Sequence, residues 1–235
     1  MSVPSLSSLS SLPSLSSRNR TSRKYVEAAI TQHLTAILDS SASGERPRFL
    51  LGITGPPATG KSTFASLLAT VMNDRMGDAF AVTISMDGFH LSDEVLKARG
   101  SYALKGAPHT FDAQGFVDLL HQLRADTPET VWCPVFKREP YDRVEGAVAV
   151  EHSTRMVIVE GNYLLLTTPP WQHVRTILDQ VWYLDTPRDV IKARLVKRHM
   201  GIGRTEEQAI SKVEESDLPN ADIIEASRSL ADQIL

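Results

Sequence analysis

Gly55-Pro56-Pro57-Ala58-Thr59-Gly60-Lys61-Ser62 decides the fold of this chain. Two glycines separated by four residues, then Lys, then a hydroxyl residue, form a phosphate-binding pattern. Glycine lets backbone N–H groups turn inward and approach phosphate oxygens closely. The helix that follows adds its positive N-terminal end. Lys61 reaches β- and γ-phosphates, and the Ser62 hydroxyl suits Mg²⁺. Context supports the motif. Phe49-Leu50-Leu51-Gly52-Ile53-Thr54 reads as a buried strand, and Phe64, Leu67, Leu68, Val71 and Met72 recur at helical spacing. Thr63, the residue after Ser62, completes the loop-to-helix junction.

Working outward, apolar runs alternate with helical patterns. Residues 80–85, 131–136, 156–159 and 180–184 read as strands. Tyr25–Leu38 reads as an amphipathic helix. Ser92 and Asp112 stand where helix caps belong, Thr186-Pro187 reads as a helix start, and Thr205 with Gln208 as a capping box. Lys137–Glu145 reads as a charged loop. Alternating strands and helices imply an α/β fold, a parallel sheet with helices on both faces. Ligands of such sheets lie at the C-terminal strand ends.

Two acidic residues stand at those ends. Asp87 follows the 80–85 run in Met86-Asp87-Gly88-Phe89-His90, and Glu160 follows Val157-Ile158-Val159. Asp87 suits proton acceptance from an attacking hydroxyl, or Mg²⁺; Asp-Gly is also a common turn pair. Glu160 suits the metal or its water, and otherwise a salt bridge or cap. The segment Arg194–Arg204 carries clustered bases, with Gly201 and Gly203 flanking Ile202, and reads as a lid near 198–206. Arginine forks there neutralise the charge gathered during phosphoryl transfer; a solvated basic helix face is the plainer alternative. His90 and His109 sit in loops where substrate contacts concentrate. His199 has no metal-type Cys/His spacing around it.

The chain has 235 residues and a formal net charge of −3. Residues 1–26 hold four bases and no acids, which leaves 21 bases against 28 acids beyond them. No broad basic surface results, so nucleic acid is not an expected partner. No apolar run approaches a membrane span. Cys133 is the only cysteine, which fits a reducing compartment and a buried apolar role. Residues 1–22, rich in Ser and Leu, read as a disordered extension. Their late arginines and missing acids equally fit a transit peptide. The location is therefore cytoplasmic, or mitochondrial if 1–22 act as a leader, with residues 23–235 as the working domain.

Taken together the motifs resemble the uridine kinase / phosphoribulokinase group of P-loop small-molecule kinases, in the branch with uridine-kinase-like proteins, fructose-transport kinases and fungal ATPases. The matching pieces are the Gly52–Thr63 loop, Met86–His90, Gly106-Ala107-Pro108-His109-Thr110-Phe111-Asp112, Val159-Glu160-Gly161-Asn162-Tyr163, Arg198-His199 and Asn220-Ala221. The resemblance implies the P-loop nucleoside triphosphate hydrolase fold, ATP and Mg²⁺, and transfer to a hydroxyl of a nucleoside, sugar, pantothenate or related polyol. It implies Asp87 as base, Lys61, Arg198 and Arg204 on the phosphates, and Gly55 through Thr63 (Pro56, Pro57, Ala58, Thr59, Gly60 and Ser62 among them) around the nucleotide. Ser62, Glu160 and Asp87 are implied at the metal, and His90, His109, Arg138 and Tyr163 near the acceptor. Homodimer formation stays open. One departure is visible: after Pro134-Val135-Phe136, where family members often carry Asp, the chain reads Lys137-Arg138-Glu139. A plain ATPase or nucleotide-dependent regulator without an acceptor is the rival reading. A GTPase switch is disfavoured by the lack of an Asn-Lys-x-Asp segment.

Overall fold

The computed structural model describes residues 23–29, 48–125, 127–138 and 141–235. The 1–22 extension and residues 30–38 of the expected first helix lie outside them. Helix α1 covers residues 23–29. Strand β1 (Phe49–Thr54) runs into the glycine loop and α2 (Lys61–Met76). Then come β2 (Ala81–Ser85), α3 (Asp93–Ala98) and α4 (Ala113–Arg124). A hairpin of β3 (Val131–Arg138) and β4 (Tyr141–Val150) precedes β5 (Met156–Glu160). The C-terminal half holds α5 (Gln172–Ile177), β6 (Gln180–Tyr183), α6 (Arg188–Met200), α7 (Glu206–Lys212), α8 (Leu218–Glu225) and β7 (Gln233–Ile234).

The main sheet has the order β2-β5-β1-β6-β7, with every pair parallel. β1 is buried at all six positions because helices cover both faces. Its side chains alternate. Leu51 and Ile53 pack with Phe64, Leu68 and Met72 of α2 and with Val26 and Ala29 of α1. Leu50 packs on the other face with Phe116 and Leu120 of α4 and Val174 of α5. Register sets the site: Ile53 of β1 and Ser85 of β2 both stand beside Glu160 of β5. Three strands therefore bring Ile53, Ser85 and Glu160 to one edge.

The caps form as the sequence predicts. Ser92 accepts from the Val95 N–H and Asp112 from the Gly115 N–H, and Thr205 and Gln208 make both bonds of a capping box. Two expectations change. Helix α6 starts at Arg188, and Pro187 is its cap residue with ψ 138 rather than its first turn. The described residues of the Lys137–Glu145 segment are not loop but strand, the end of β3 and the start of β4, antiparallel from Val131↔Val150 to Arg138↔Tyr141. Its charge hides a period-two pattern in which Val148 and Val150 point to the core. The register shifts between Cys133 and Val135, where Gly146 on β4 adopts φ 59, as a bulge requires. Cys133 is fully buried while neighbouring Trp132 is exposed. Burial pushes the Cys133 thiol up to about 12, so it is an inert apolar residue.

Candidate active site

The loop between β1 and α2 is built from left-handed backbone: Gly55 at φ 142, Ala58 at φ 62 and Gly60 at φ 100. Gly60 stands immediately before the first turn of α2, and nothing lies within 4 Å of where its Cβ would be. The open side of the loop is thus lined by backbone. Lys61 lies beneath it, 7% exposed, and its Nζ donates to the carbonyls of Gly55 at 2.9 Å and Pro56 at 2.8 Å. Burial pulls the ammonium pKa down to about 8, opposed by the negative charges of Glu160 and Asp87 and reinforced by Arg198. The Thr59 Oγ1 is buried with no hydrogen-bond partner. An orphaned hydroxyl in a cradle of N–H groups matches an anionic guest.

Glu160 is 6% exposed at the end of β5. Hydroxyls from two elements bind its carboxylate: Ser85, the last residue of β2, and Ser62 in the first turn of α2. Burial and the neighbouring charge of Asp87 nevertheless hold its pKa above the usual carboxylate range. Asp87 lies in a single tight turn, Met86–Phe89, whose Asp87 N–H donates to the Ser85 hydroxyl. Two carboxylates that repel each other beside a serine hydroxyl make a hard oxygen donor set, which suits Mg²⁺. Among the described residues no cluster of three His, Cys, Asp or Glu side chains could hold a metal alone. Phosphate oxygens must complete any such coordination, as they do in nucleotide sites.

His90 closes the far side. Its Nδ1–H donates to the Asp87 carbonyl at 2.9 Å, which leaves Nε2 as the ring's acceptor. The ring lies 4.1 Å from Phe111 and 4.9 Å from Phe136, centroid to centroid. Burial lowers its pKa, with Lys105 and Arg198 acting in the same direction against Asp87. A backbone bridge, His90↔Phe111, ties this turn to the Gly106–Asp112 loop. His109 is exposed on that loop. Arg138 ends β3 opposite Tyr141.

Two expected contacts sit elsewhere. Tyr163 is fully buried between Phe111 and Trp171, and its hydroxyl donates to the Gly106 carbonyl at 2.5 Å. It braces the loop from below. Arg204 donates to His199 Nδ1 at 2.5 Å, while His199 Nε2–H meets Asp217 at 2.6 Å. Asp217 ends a π-turn, Val213–Asp217, a feature frequent at functional sites. The partners of Arg204 lie in residues that local sequence reading cannot pair. Arg194, at the start of the clustered-base segment, donates to the Ala58 carbonyl at 3.1 Å and so steadies the glycine loop. Ser85 was missed; its only sequence signal is its place one step before the Met86–His90 motif.

A sheet of this order, a left-handed glycine loop, a buried lysine and carboxylates from two neighbouring strand ends define a P-loop kinase. The model of the "Phosphoribulokinase / Uridine kinase family" matches residues 50–235, and the chain belongs to that family. A Schizosaccharomyces pombe protein named "Putative uridine kinase C227.14" is 38% identical over 197 residues, 80% of this chain and 83% of its own. A crystal structure of a "putative fructose transport system kinase" from Silicibacter sp. TM1040 superposes with a TM-score of 0.74 at 38% identity, covering 80% of this chain and 89% of that one. A pantothenate kinase of Levilactobacillus brevis is 33% identical over 155 residues, 66% of this chain and 50% of that protein's length. The chain is a small-molecule phosphotransferase, and its family implies ATP use. Among the described residues no helix is long and apolar enough to cross a membrane.

Proposed function

We propose that the chain transfers the γ-phosphoryl group of ATP to a hydroxyl of a small metabolite of the nucleoside, sugar, pantothenate or related polyol class. One observation carries this reading: the β2–β5 register sets Ser85 beside Glu160, so Glu160 and Asp87, in the turn that follows Ser85, stand at the sheet edge where the glycine loop holds the buried Lys61. A phosphate-binding loop alone serves any nucleotide protein. A second carboxylate beside it supplies what hydroxyl phosphorylation adds, a proton acceptor.

In this reading the N–H groups from Gly55 to Thr63 wrap the phosphates. Lys61 exchanges the Gly55 and Pro56 carbonyls for β- and γ-phosphate oxygens, which favours its charged form. Asp87 takes the acceptor's hydroxyl proton as the new O–P bond forms and the bond to the ADP oxygen breaks. Arg198 offsets charge on the transferring group. Ser62, Glu160 and Asp87 would hold Mg²⁺, and the ion would supply positive charge that offsets the charge of the phosphates. His90 and His109 serve the acceptor, Arg138 joins them from the end of β3, and Tyr163 keeps the Gly106–Asp112 loop in place. Arg204 joins only if the 198–206 lid moves; Gly203, at φ 93, supplies a pivot. Residues 23–235 act as one kinase unit, with 1–22 appended. The similar proteins carry the names uridine kinase, pantothenate kinase and fructose transport kinase, which agree on the reaction and differ on the acceptor.

ATP-to-ADP conversion measured across a panel of these hydroxyl compounds tests the proposal. A rate that climbs with one acceptor, together with its phosphorylated product by mass spectrometry, supports it. Identical rates with and without every acceptor would point to a plain ATPase.

A further inference from the structure

A cavity of about 690 Å³ opens beside the glycine loop. Ala58, Thr59, Gly60 and Thr63 form its loop end, and Leu184, Asp185 and Thr186, just past β6, form another wall. Tyr25 and Val26 of α1 form a further wall with Phe64, and Leu67, Arg194 and Leu235 complete the lining. Neither Asp87, Glu160 nor His90 borders the space. It is therefore continuous with the phosphate cradle but separate from the acceptor side.

The α1 wall precedes the family-matching segment, which starts at residue 50. It is nevertheless anchored in the core. Val26 and Ala29 are buried against the sheet. Arg23 binds Glu27 at 3.0 Å and Asp74 of α2 at 2.8 Å. Tyr25 is different: 51% of it is exposed, with its ring edge set against Phe64 at 6.2 Å between centroids. Phe64 is held in turn by Trp182 at 6.4 Å. An exposed aromatic ring on an anchored helix, over an otherwise apolar wall with threonine and aspartate at the rim, fits a flat heteroaromatic base whose edge carries donors and acceptors.

We infer that α1 completes the nucleotide site and that Tyr25 stacks on the base of the bound nucleoside triphosphate. The inference rests on the ATP reading above and adds a residue outside the family-matching segment as a determinant of nucleotide affinity. The phosphates remain with the glycine loop; the ring acts on the base alone.

Calorimetric titration of the full chain with ATP and with inorganic tripolyphosphate separates the two. Base–aromatic stacking predicts that Tyr25→Ala weakens ATP binding roughly tenfold. Tripolyphosphate affinity should stay at the wild-type value, and Tyr25→Phe should bind ATP normally. Unchanged ATP affinity in a folded Tyr25→Ala protein overturns the inference. So does equal weakening toward both ligands, which would mean that α1 acts through the shape of the loop. Wild-type protein that binds neither ligand would overturn the ATP reading itself.

Discussion

Gly88→Ala tests how the fold holds Asp87. A Cβ at Gly88 would lie 2.4 Å from the Pro134 carbonyl oxygen and 2.8 Å from its carbon. Real Cβ atoms essentially never approach below 3.0 Å, and ordinary contact begins at 3.4 Å. The Met86–Phe89 turn and strand β3 must therefore separate by about 1 Å, the gap between the observed approach and ordinary contact. Neither side yields easily, since Met86, Phe89 and Cys133 are all buried in one core. Overpacking of this kind costs about 1–3 kcal/mol. The displaced turn carries Asp87, and a misplacement of about 1 Å in a reacting group lowers turnover roughly a hundredfold. The glycine loop is untouched, so ATP affinity should hold. Urea unfolding gives the first quantity, steady-state turnover the second and calorimetry the third. Gly201→Ala is the control, because its backbone is helical and its Cβ meets nothing closer than 3.4 Å; it should change stability by less than about 0.5 kcal/mol. A Gly88→Ala protein as stable and as active as the wild type would refute the reasoning.

Two further outcomes follow from the same site. Asp87→Asn should keep ATP binding and lose roughly 10²–10⁴ in turnover, the usual worth of a positioned base; normal turnover would remove Asp87 from that role. The Lys61 pKa, lowered to about 8 from 10.5, means that between these pH values the unfolded chain binds the proton and the folded chain does not. The penalty for burying the charge is present below pH 8 and relieved as pH rises through the window. Relative to Lys61→Met, nucleotide-free wild type should gain on the order of 2–3 kcal/mol between pH 8 and pH 10. Unfolding free energies that run parallel with pH would show that the lysine is not held in the way described.

Much of the site is local chemistry, and local chemistry is legible. The glycine loop reads because its left-handed residues and its lysine are neighbours in sequence. Asp87 and Glu160 read because each ends an apolar strand. The caps at Ser92, Asp112 and Thr205 read because each bonds within three residues. β4 did not, because its charged residues mask a period-two pattern whose partner strand decides its conformation. Tyr163 sits within a recognisable motif, yet its ring belongs to the Phe111–Trp171 cluster and its hydroxyl to a loop 57 residues earlier.

By itself the sequence determined the parallel α/β plan, the phosphate cradle and the two acidic strand ends, since each depends on backbone conformation and periodicity over a few residues. Only the tertiary structure decided which groups meet. Register set Ser85 beside Glu160, packing drove Gly88 against Pro134, and chain return brought α1 over the glycine loop and turned Arg204 toward His199. Most of those pairings join residues far apart in the chain, such as Ser85 and Glu160 at 75 residues, and place in the fold, not residue type, makes them.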